Sequence, residues 1–203
     1  MRTHFSNATI IDASGAAAFK GTVSVDGERI AAVVGAGGSI PVSPDDETID
    51  CEGLTIMPGL TEAHCHISFN NLTSMYQAVE IQPEDHSLVA LSNAQMLLGC
   101  GFTSLFSAAS AKPRVDVAVR DAINRGLFAG PRMRAAGQEI SPSGNLGDLD
   151  NNYLTFPRNV RFTVTCDGAD EFTKAARLAA RDGVDTIKVN VSGDRDWGHM
   201  HAD

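Results

Sequence analysis

Two histidines stand one residue apart in the segment LTIMPGLTEAHCHISF, and their spacing suits metal binding. His64 and His66 follow Pro58-Gly59 at the end of an apolar stretch. On a β-strand the side chains alternate between faces, so both imidazoles point to one side and Cys65 to the other. Two imidazoles about 7 Å apart along a strand can converge on one metal ion. The alternative is a pair of polar residues that bind only backbone groups at a strand end.

A lysine in a second apolar segment offers a different chemistry. Lys188 lies inside DTIKVNVSGD, where an uncompensated ammonium is costly to bury. Burial lowers the pKa of a lysine, and a neutral amine can add carbon dioxide to form a carbamate. The carbamate is an anion with two oxygens, so it can bridge two divalent cations, which stabilise it in turn. The alternative is a lysine whose ammonium reaches solvent at the strand end.

The elements that would position these residues change in type along the chain. Residues 1–56 carry short β-branched segments, with a hairpin turn signal at Asp26-Gly27, and we predict an incomplete N-terminal β-sandwich segment there. Residues 57–203 alternate between strand and helix patterns, which predicts parallel βα units. The predicted strands lie near residues 55–66, 102–108, 132–140 and 186–192.

Three helices are predicted between these strands. PEDHSLVALSNAQMLLGCG carries Leu88, Leu91 and Leu98 at helical spacing, and RVDVAVRDAINRG carries a stripe with Val115 and Val119. GADEFTKAARLAARDG is the third helix, with Phe172, Ala175, Ala176 and Ala179 on one face. Four βα units are half of an eight-stranded barrel, which typically takes about 250 residues. The fold class is therefore α/β: the first four βα units of a TIM-like (β/α)8 barrel, without strands 5–8.

Composition narrows the classes of partner. The net charge of −9 over 203 residues argues against nucleic acid and against an anionic membrane surface. No apolar run reaches the roughly 18 residues of a membrane-spanning helix, and the N-terminus lacks the apolar core of a signal peptide, so we expect a cytoplasmic protein. The four cysteines are far apart and are expected to be reduced and buried, whereas His4 and His86 are expected at the surface.

PGLTEAHCH resembles the first-strand signature of the amidohydrolase superfamily, a proline-glycine followed by apolar residues, an aspartate and an HxH pair. Thr61 replaces an apolar residue here, and Glu62 stands where aspartate is usual. The segments around Lys188 and GFTSLFSA are similar to the imidazolonepropionase-like and prolidase-like branch, whose fourth strand often ends in Ser-Gly, as at Ser192-Gly193. The resemblance covers essentially the whole chain.

This resemblance implies a binuclear metal centre with zinc as the expected metal. His64 and His66 would bind the more buried ion, and carboxylated Lys188 would bridge it to a second ion. A hydroxide shared by the ions would attack the substrate. Strands five, six and eight of the family supply two histidines and an aspartate, and those strands are absent here. The implied activity is hydrolysis of amide or peptide-like C–N bonds in a small-molecule substrate.

Other functions remain open at this point. A mononuclear deaminase uses one metal ion and no carboxylated lysine, and lactones or organophosphates are further substrates of binuclear members. An inactive, truncated relative would act by binding alone. We expect the other half of the barrel to be a second chain or a missing segment, and the complete protein to form a homo-oligomer. A second HxH pair, His199 and His201, lies in polar sequence and is interpreted as surface loop.

Overall fold

The computed structural model describes residues 1–74 and 76–191, and the chain divides into two compact units between Gly59 and Leu60. The predicted domain boundary after residue 56 lies close to this division. Ser192-Gly193 and the second histidine pair, His199 and His201, lie outside the described residues.

The N-terminal unit is all-β. Its strands are β1 (Arg2–Ile10), β2 (Phe19–Asp26), β3 (Arg29–Gly35), β4 (Glu47–Asp50) and β5 (Thr55–Ile56). They form one sheet in the order β3-β2-β1-β4, and β5 also pairs with β1. The hairpin predicted at Asp26-Gly27 is confirmed, and Gly27 adopts a φ of 57°, which glycine tolerates best. The sandwich segment that we predicted is a single five-stranded sheet over the described residues.

The second unit alternates strands and helices. It contains β6 (Leu60–Cys65), α1 (Tyr76–Glu80), α2 (Pro83–Gly99), β7 (Phe102–Ser107), α3 (Val115–Asn124), β8 (Arg132–Arg134), β9 (Glu139–Ser141), β10 (Thr163–Thr165) and α4 (Ala169–Asp182). Parallel pairing gives the order β6-β7-β8 in one sheet, and β9 pairs in parallel with β10. The predicted parallel βα pattern is therefore confirmed for these elements.

Sequence signals at the helix ends explain where the helices start and stop. Proline at the first position and two acids in the first turn favour the start of α2, because proline fits there and carboxylates interact well with the helix dipole. Helix α4 begins with Asp170 and Glu171 and ends at Gly183, which adopts the left-handed conformation with a φ of 88°. All three predicted helices are present with ends close to those expected.

The main core of the second unit lies between the strands and two helices. Cys65, Leu105 and Met133 contribute from the strands, and the helices add Ala90 and Ala94 of α2 together with Val115 and Val119 of α3. The stripe that we predicted for α3 is therefore its buried face. The stripe predicted for α2 is confirmed only in part: Leu91 packs against this core, whereas Leu88 is 65% exposed and Ala90 and Ala94 are the fully buried residues.

Several other expectations are corrected by the structure. The predicted third strand is broken into β8 and β9, and the predicted fourth strand is not continuous: Thr186 and Val189 form isolated parallel bridges with Ala136 and Ile140. His4 and His86 are buried rather than at the surface, and Cys100 is exposed rather than buried.

The helices in the described part of the chain are all too short or too polar to cross a membrane.

Candidate metal centre

His64 and His66 lie where the parallel sheet ends. His64 is the penultimate residue of β6 and His66 follows the strand directly. Their ring centroids are 5.3 Å apart, with an angle of 71° between the ring planes. Two imidazoles on one tetrahedral zinc ion, with Zn–N bonds of about 2.0–2.1 Å, place their ring centres about 5 Å apart. The pair is therefore spaced as two ligands of one ion would be.

The ring of His66 is held by two contacts. Its Nδ1 lies 3.1 Å from the Ala109 carbonyl oxygen, and its ring stacks on Phe69 at 4.4 Å between centroids. Because a carbonyl only accepts hydrogen bonds, Nδ1 carries the proton in this contact and Nε2 keeps its lone pair for a metal. Burial lowers the pKa of His66, and the charges of His64 and Lys188 act in the same direction, while the Ala109 carbonyl opposes them. The imidazole is therefore held neutral, as a ligand must be.

The glutamate of the PGLTEAHCH segment supports the strand rather than the rings. Glu62 Oε1 accepts a hydrogen bond of 3.1 Å from the backbone N–H of His64. The extra methylene, compared with the usual aspartate, still allows this local bond. The expected hydrogen-bonding role of Glu62 is confirmed in this form.

Lys188 lies on the segment that continues the sheet beyond β9. Its carbonyl accepts the backbone N–H of Ile140 at 2.9 Å, which fixes its register beside that strand. The side chain is partly buried, and its charge lowers the pKa values of both His66 and Glu139. Lys188 therefore lies in electrostatic range of His66, and of one carboxylate, Glu139, that the sequence analysis did not single out.

Glu139 and Asn190 are the residues that sequence reasoning missed. Both are 5–6% exposed, and the Asn190 side-chain amide donates a hydrogen bond to Glu139 Oε2. Burial raises the pKa of Glu139, and the contacts with Asn190 and Lys188 oppose this effect. The sequence did contain a signal for Asn190, because this residue follows Lys188 by two positions and therefore shares its face on an extended segment. Glu139 gave no comparable signal.

The histidine pair borders an open cavity of about 490 Å³. Asn93 lines this cavity, and its side-chain amide donates hydrogen bonds to the Ile67 carbonyl at 2.7 Å and to Asn70 Oδ1 at 3.0 Å. The cavity is therefore large enough for a small molecule and presents amide groups beside the imidazoles.

The described residues bring together fewer donors than a complete metal site needs. In 1–74 and 76–191 no three residues among histidine, cysteine, aspartate and glutamate are grouped closely enough to hold an ion. The donors brought together are the two imidazoles, with Lys188 in electrostatic range of one of them. Two imidazoles, with Nδ1 of His66 donating a hydrogen bond and its Nε2 left with a lone pair, suit zinc or another divalent transition metal.

Comparisons with known proteins give one consistent result. No protein-family model matches the chain. Over 63 residues, 30% of this chain and 14% of the relative, it is 43% identical to a dihydroorotase of Wolbachia sp. subsp. Drosophila simulans (strain wRi). Solved structures with a similar fold include a prolidase complexed with N-methylphosphonate-L-proline (24% identity, TM-score 0.83, 98% of this chain and 49% of that one). They also include an Xaa-Pro dipeptidase with methionine in its active site (26%, 0.81, 99% and 51%) and A. niger ochratoxinase (22%, 0.79, 98% and 49%).

The similarities to the dihydroorotase and the Xaa-Pro dipeptidase confirm the predicted resemblance to the amidohydrolase superfamily. The solved structures confirm the mixed α/β class. The identities below 25% carry the fold alone. The chain spans about half the length of the solved structures that it matches.

Proposed function

We propose that this chain carries part of the active site of a metal-dependent hydrolase that cleaves amide or peptide-like C–N bonds. The observation that carries the proposal is the imidazole pair at 5.3 Å, with Nδ1 of His66 fixed by a carbonyl and Lys188 in electrostatic range. The similarity to a prolidase and an Xaa-Pro dipeptidase, whose names denote peptide-bond hydrolysis, supports the choice of bond.

The donor set fits a binuclear centre in which His64 and His66 hold one divalent ion, with zinc as the first candidate. Lys188 would supply the bridge: once its ammonium has given up a proton, the amine would form an N–C bond to carbon dioxide and release a second proton, which would leave a carbamate with two oxygens. Divalent ions bound there would supply an activated water and polarise the scissile carbonyl.

The remaining residues of the site have roles that need no metal. The Ala109 carbonyl keeps the His66 proton on Nδ1, and Glu62 fixes the backbone at His64. The Asn190 amide, by donating to Glu139, holds that carboxylate beside Lys188. The amides of Asn70 and Asn93 line the cavity where a polar substrate would lie.

The proposal includes a second half of the fold, in a longer chain or as a partner chain, that completes the barrel and the ligand set. Among the described strands β6 pairs only with β7, so one edge of this strand is open. Ile187, Val189 and Val191 are 45–65% exposed on the segment that carries Lys188. An open edge and an exposed row of β-branched side chains are what a further strand and helix would cover.

The test compares the full-length wild-type protein with Lys188→Ala. We expect two divalent ions per active unit in the wild type, at most one in Lys188→Ala, and a loss of dipeptide hydrolysis of at least about 100-fold, of the size expected when a charge-stabilising group is removed from an active site. Lys174→Ala is the matched control, because Lys174 is exposed on α4. A carbamate carbon signal after growth with ¹³C-bicarbonate, absent from Lys188→Ala, would identify the modification.

Other results would select the other functions. One ion in the wild type with an active Lys188→Ala protein would favour a mononuclear deaminase. A full-length protein that binds no divalent ion would overturn the proposal and leave a binding role. Turnover of lactones or organophosphates without turnover of amides would move the substrate class within the same metal chemistry.

A further inference from the structure

The turn after β7 is buried throughout, although it joins a strand to a helix. Each residue from Ala108 to Lys112 is at most 6% exposed. A connection of this kind normally lies at the surface, because its backbone polar groups need partners. Here those groups have specific partners, and one of them is His66.

The peptide group between Ala109 and Ser110 links a neighbouring strand segment to the imidazole. The N–H of Ser110 donates to the Gly137 carbonyl at 2.8 Å, and the carbonyl of Ala109 accepts from Nδ1 of His66 at 3.1 Å. Both bonds engage the same planar unit, so each polarises the other. The position of this one peptide therefore determines how well the His66 proton is held.

Asp116, in the first turn of α3, contacts two serines near that peptide. Its carboxylate Oδ2 accepts from Ser107 Oγ at 2.6 Å, and its main-chain N–H donates to Ser110 Oγ at 3.3 Å. On the opposite side the N–H of Ala111 donates to Ser68 Oγ at 2.9 Å. The turn is thus tied at three points around Ala109.

Asp116 is fully buried, and the α3 helix does not require that. A first-turn acid also interacts favourably with the helix dipole when it is exposed, as Asp85 is in α2. Burial raises the pKa of Asp116 to about 6, against the hydrogen bond that Ser107 donates to its carboxylate. A carboxyl group in such surroundings destabilises the fold unless hydrogen bonds compensate, and its bond comes from Ser107, the last residue of β7 before the turn.

We infer that Asp116 is a positioning residue for the metal ligand His66, acting through Ser107 and the main chain between Ser107 and the carbonyl of Ala109. It holds the Ala109–Ser110 peptide where Nδ1 of His66 must donate, which leaves Nε2 free for the ion. This inference rests on the proposed metal-binding role of His66. Supporting groups of this type typically change metal affinity by about 10–100-fold when they are removed.

The experiment measures the tautomer of His66 and the affinity for zinc in the full-length protein. Metal-free protein labelled with ¹⁵N-histidine reports which ring nitrogen carries the proton, and His66→Gln assigns the signal. We expect His66 to be mainly Nδ1–H in the wild type. In Asp116→Ala the Nε2–H form should rise and the zinc dissociation constant should increase about 10–100-fold. Asp116→Asn keeps an acceptor oxygen and should recover most of this loss.

Two further variants separate positioning from stability. Asp85→Ala removes a first-turn acid that is exposed, and it should leave both measurements unchanged. Ser107→Ala removes the hydrogen bond to Asp116 and keeps the carboxyl group. It should change both measurements in the same direction as Asp116→Ala, by a smaller amount. If Asp116→Ala fails to fold, the result for Ser107→Ala tests the inference.

The inference would be overturned if Asp116→Ala and Ser107→Ala both kept the wild-type tautomer of His66 and a zinc affinity within twofold of the wild type, and only their melting temperatures were lower. If the wild type binds no zinc, the proposed function fails, and the tautomer measurement still decides whether Asp116 positions His66.

Discussion

Replacing Asp116 by asparagine should remove a specific part of the pH dependence of stability. The pKa of Asp116 is raised from 3.8 to about 6 by burial, a shift of about 2 units. Between these values the folded state binds the proton more tightly than the unfolded state, so this carboxyl stabilises the fold at low pH and the contribution is lost as the pH rises through about 6. At 1.36 kcal/mol per unit the full contribution is about 3 kcal/mol.

Urea unfolding of metal-free protein, followed by circular dichroism between pH 4.5 and 7, tests this value. Subtracting the unfolding free energy of Asp116→Asn from that of the wild type cancels the titration of the other groups. The difference should fall by about 2 kcal/mol across this range, the share of the full contribution that lies above pH 4.5. For Asp85→Asn the same difference should stay flat. A difference for Asp116→Asn that is flat, or that grows with pH, would refute the reasoning.

Further predictions concern the N-terminal sheet and an ion pair of the second unit. Gly21→Ala should lower the unfolding free energy by about 2 kcal/mol, because a Cβ there would lie 2.2 Å from the Val34 carbonyl oxygen. Its strand partner Gly35 has open space around the same position, so Gly35→Ala should change the unfolding free energy by no more than about 0.5 kcal/mol. Thermal denaturation measures both values. Asp185 accepts hydrogen bonds from Arg120 and from the N–H of Ala135, which lower its pKa against the effect of burial. Its stabilisation is present above the unfolded pKa and lost as the pH falls below about 4, so Asp185→Asn should cost about 1–3 kcal/mol at pH 7 and flatten the acid side of the stability curve.

The helices and their ends could be predicted because their signals are local. Pro83 and the acids after it mark the start of α2, and Gly183 marks the end of α4. The buried stripe was predictable for α3, where apolar and polar residues alternate with the helix period. It was only partly predictable for α2, because leucine, valine, methionine and alanine surround this helix, and only packing selects the alanine face.

Breaks within strands were harder to predict than the strands themselves. The segment from Arg132 to Ile140 has one continuous strand-like pattern, and the structure divides it into β8 and β9. β9 bonds to β10 on one side and to the Lys188 segment on the other. Pairing of this kind depends on residues that are distant in sequence, and no local pattern contains it.

At the candidate site the sequence indicated the candidate ligands, and the structure showed the residues around them. The histidine pair and Lys188 were proposed from spacing, from a charge in an apolar segment and from the resemblance to a known family. Glu139 and Asp116 escaped notice because acidic residues are usually exposed, and their burial arises only when distant elements pack around them.

The partner of His66 is the main-chain carbonyl of an alanine, so no alanine substitution at that position removes it. An ester linkage in place of the amide between Ala109 and Ser110 would remove the donor to Gly137 and weaken the acceptor for His66 in one atom change, with every side chain left as it is.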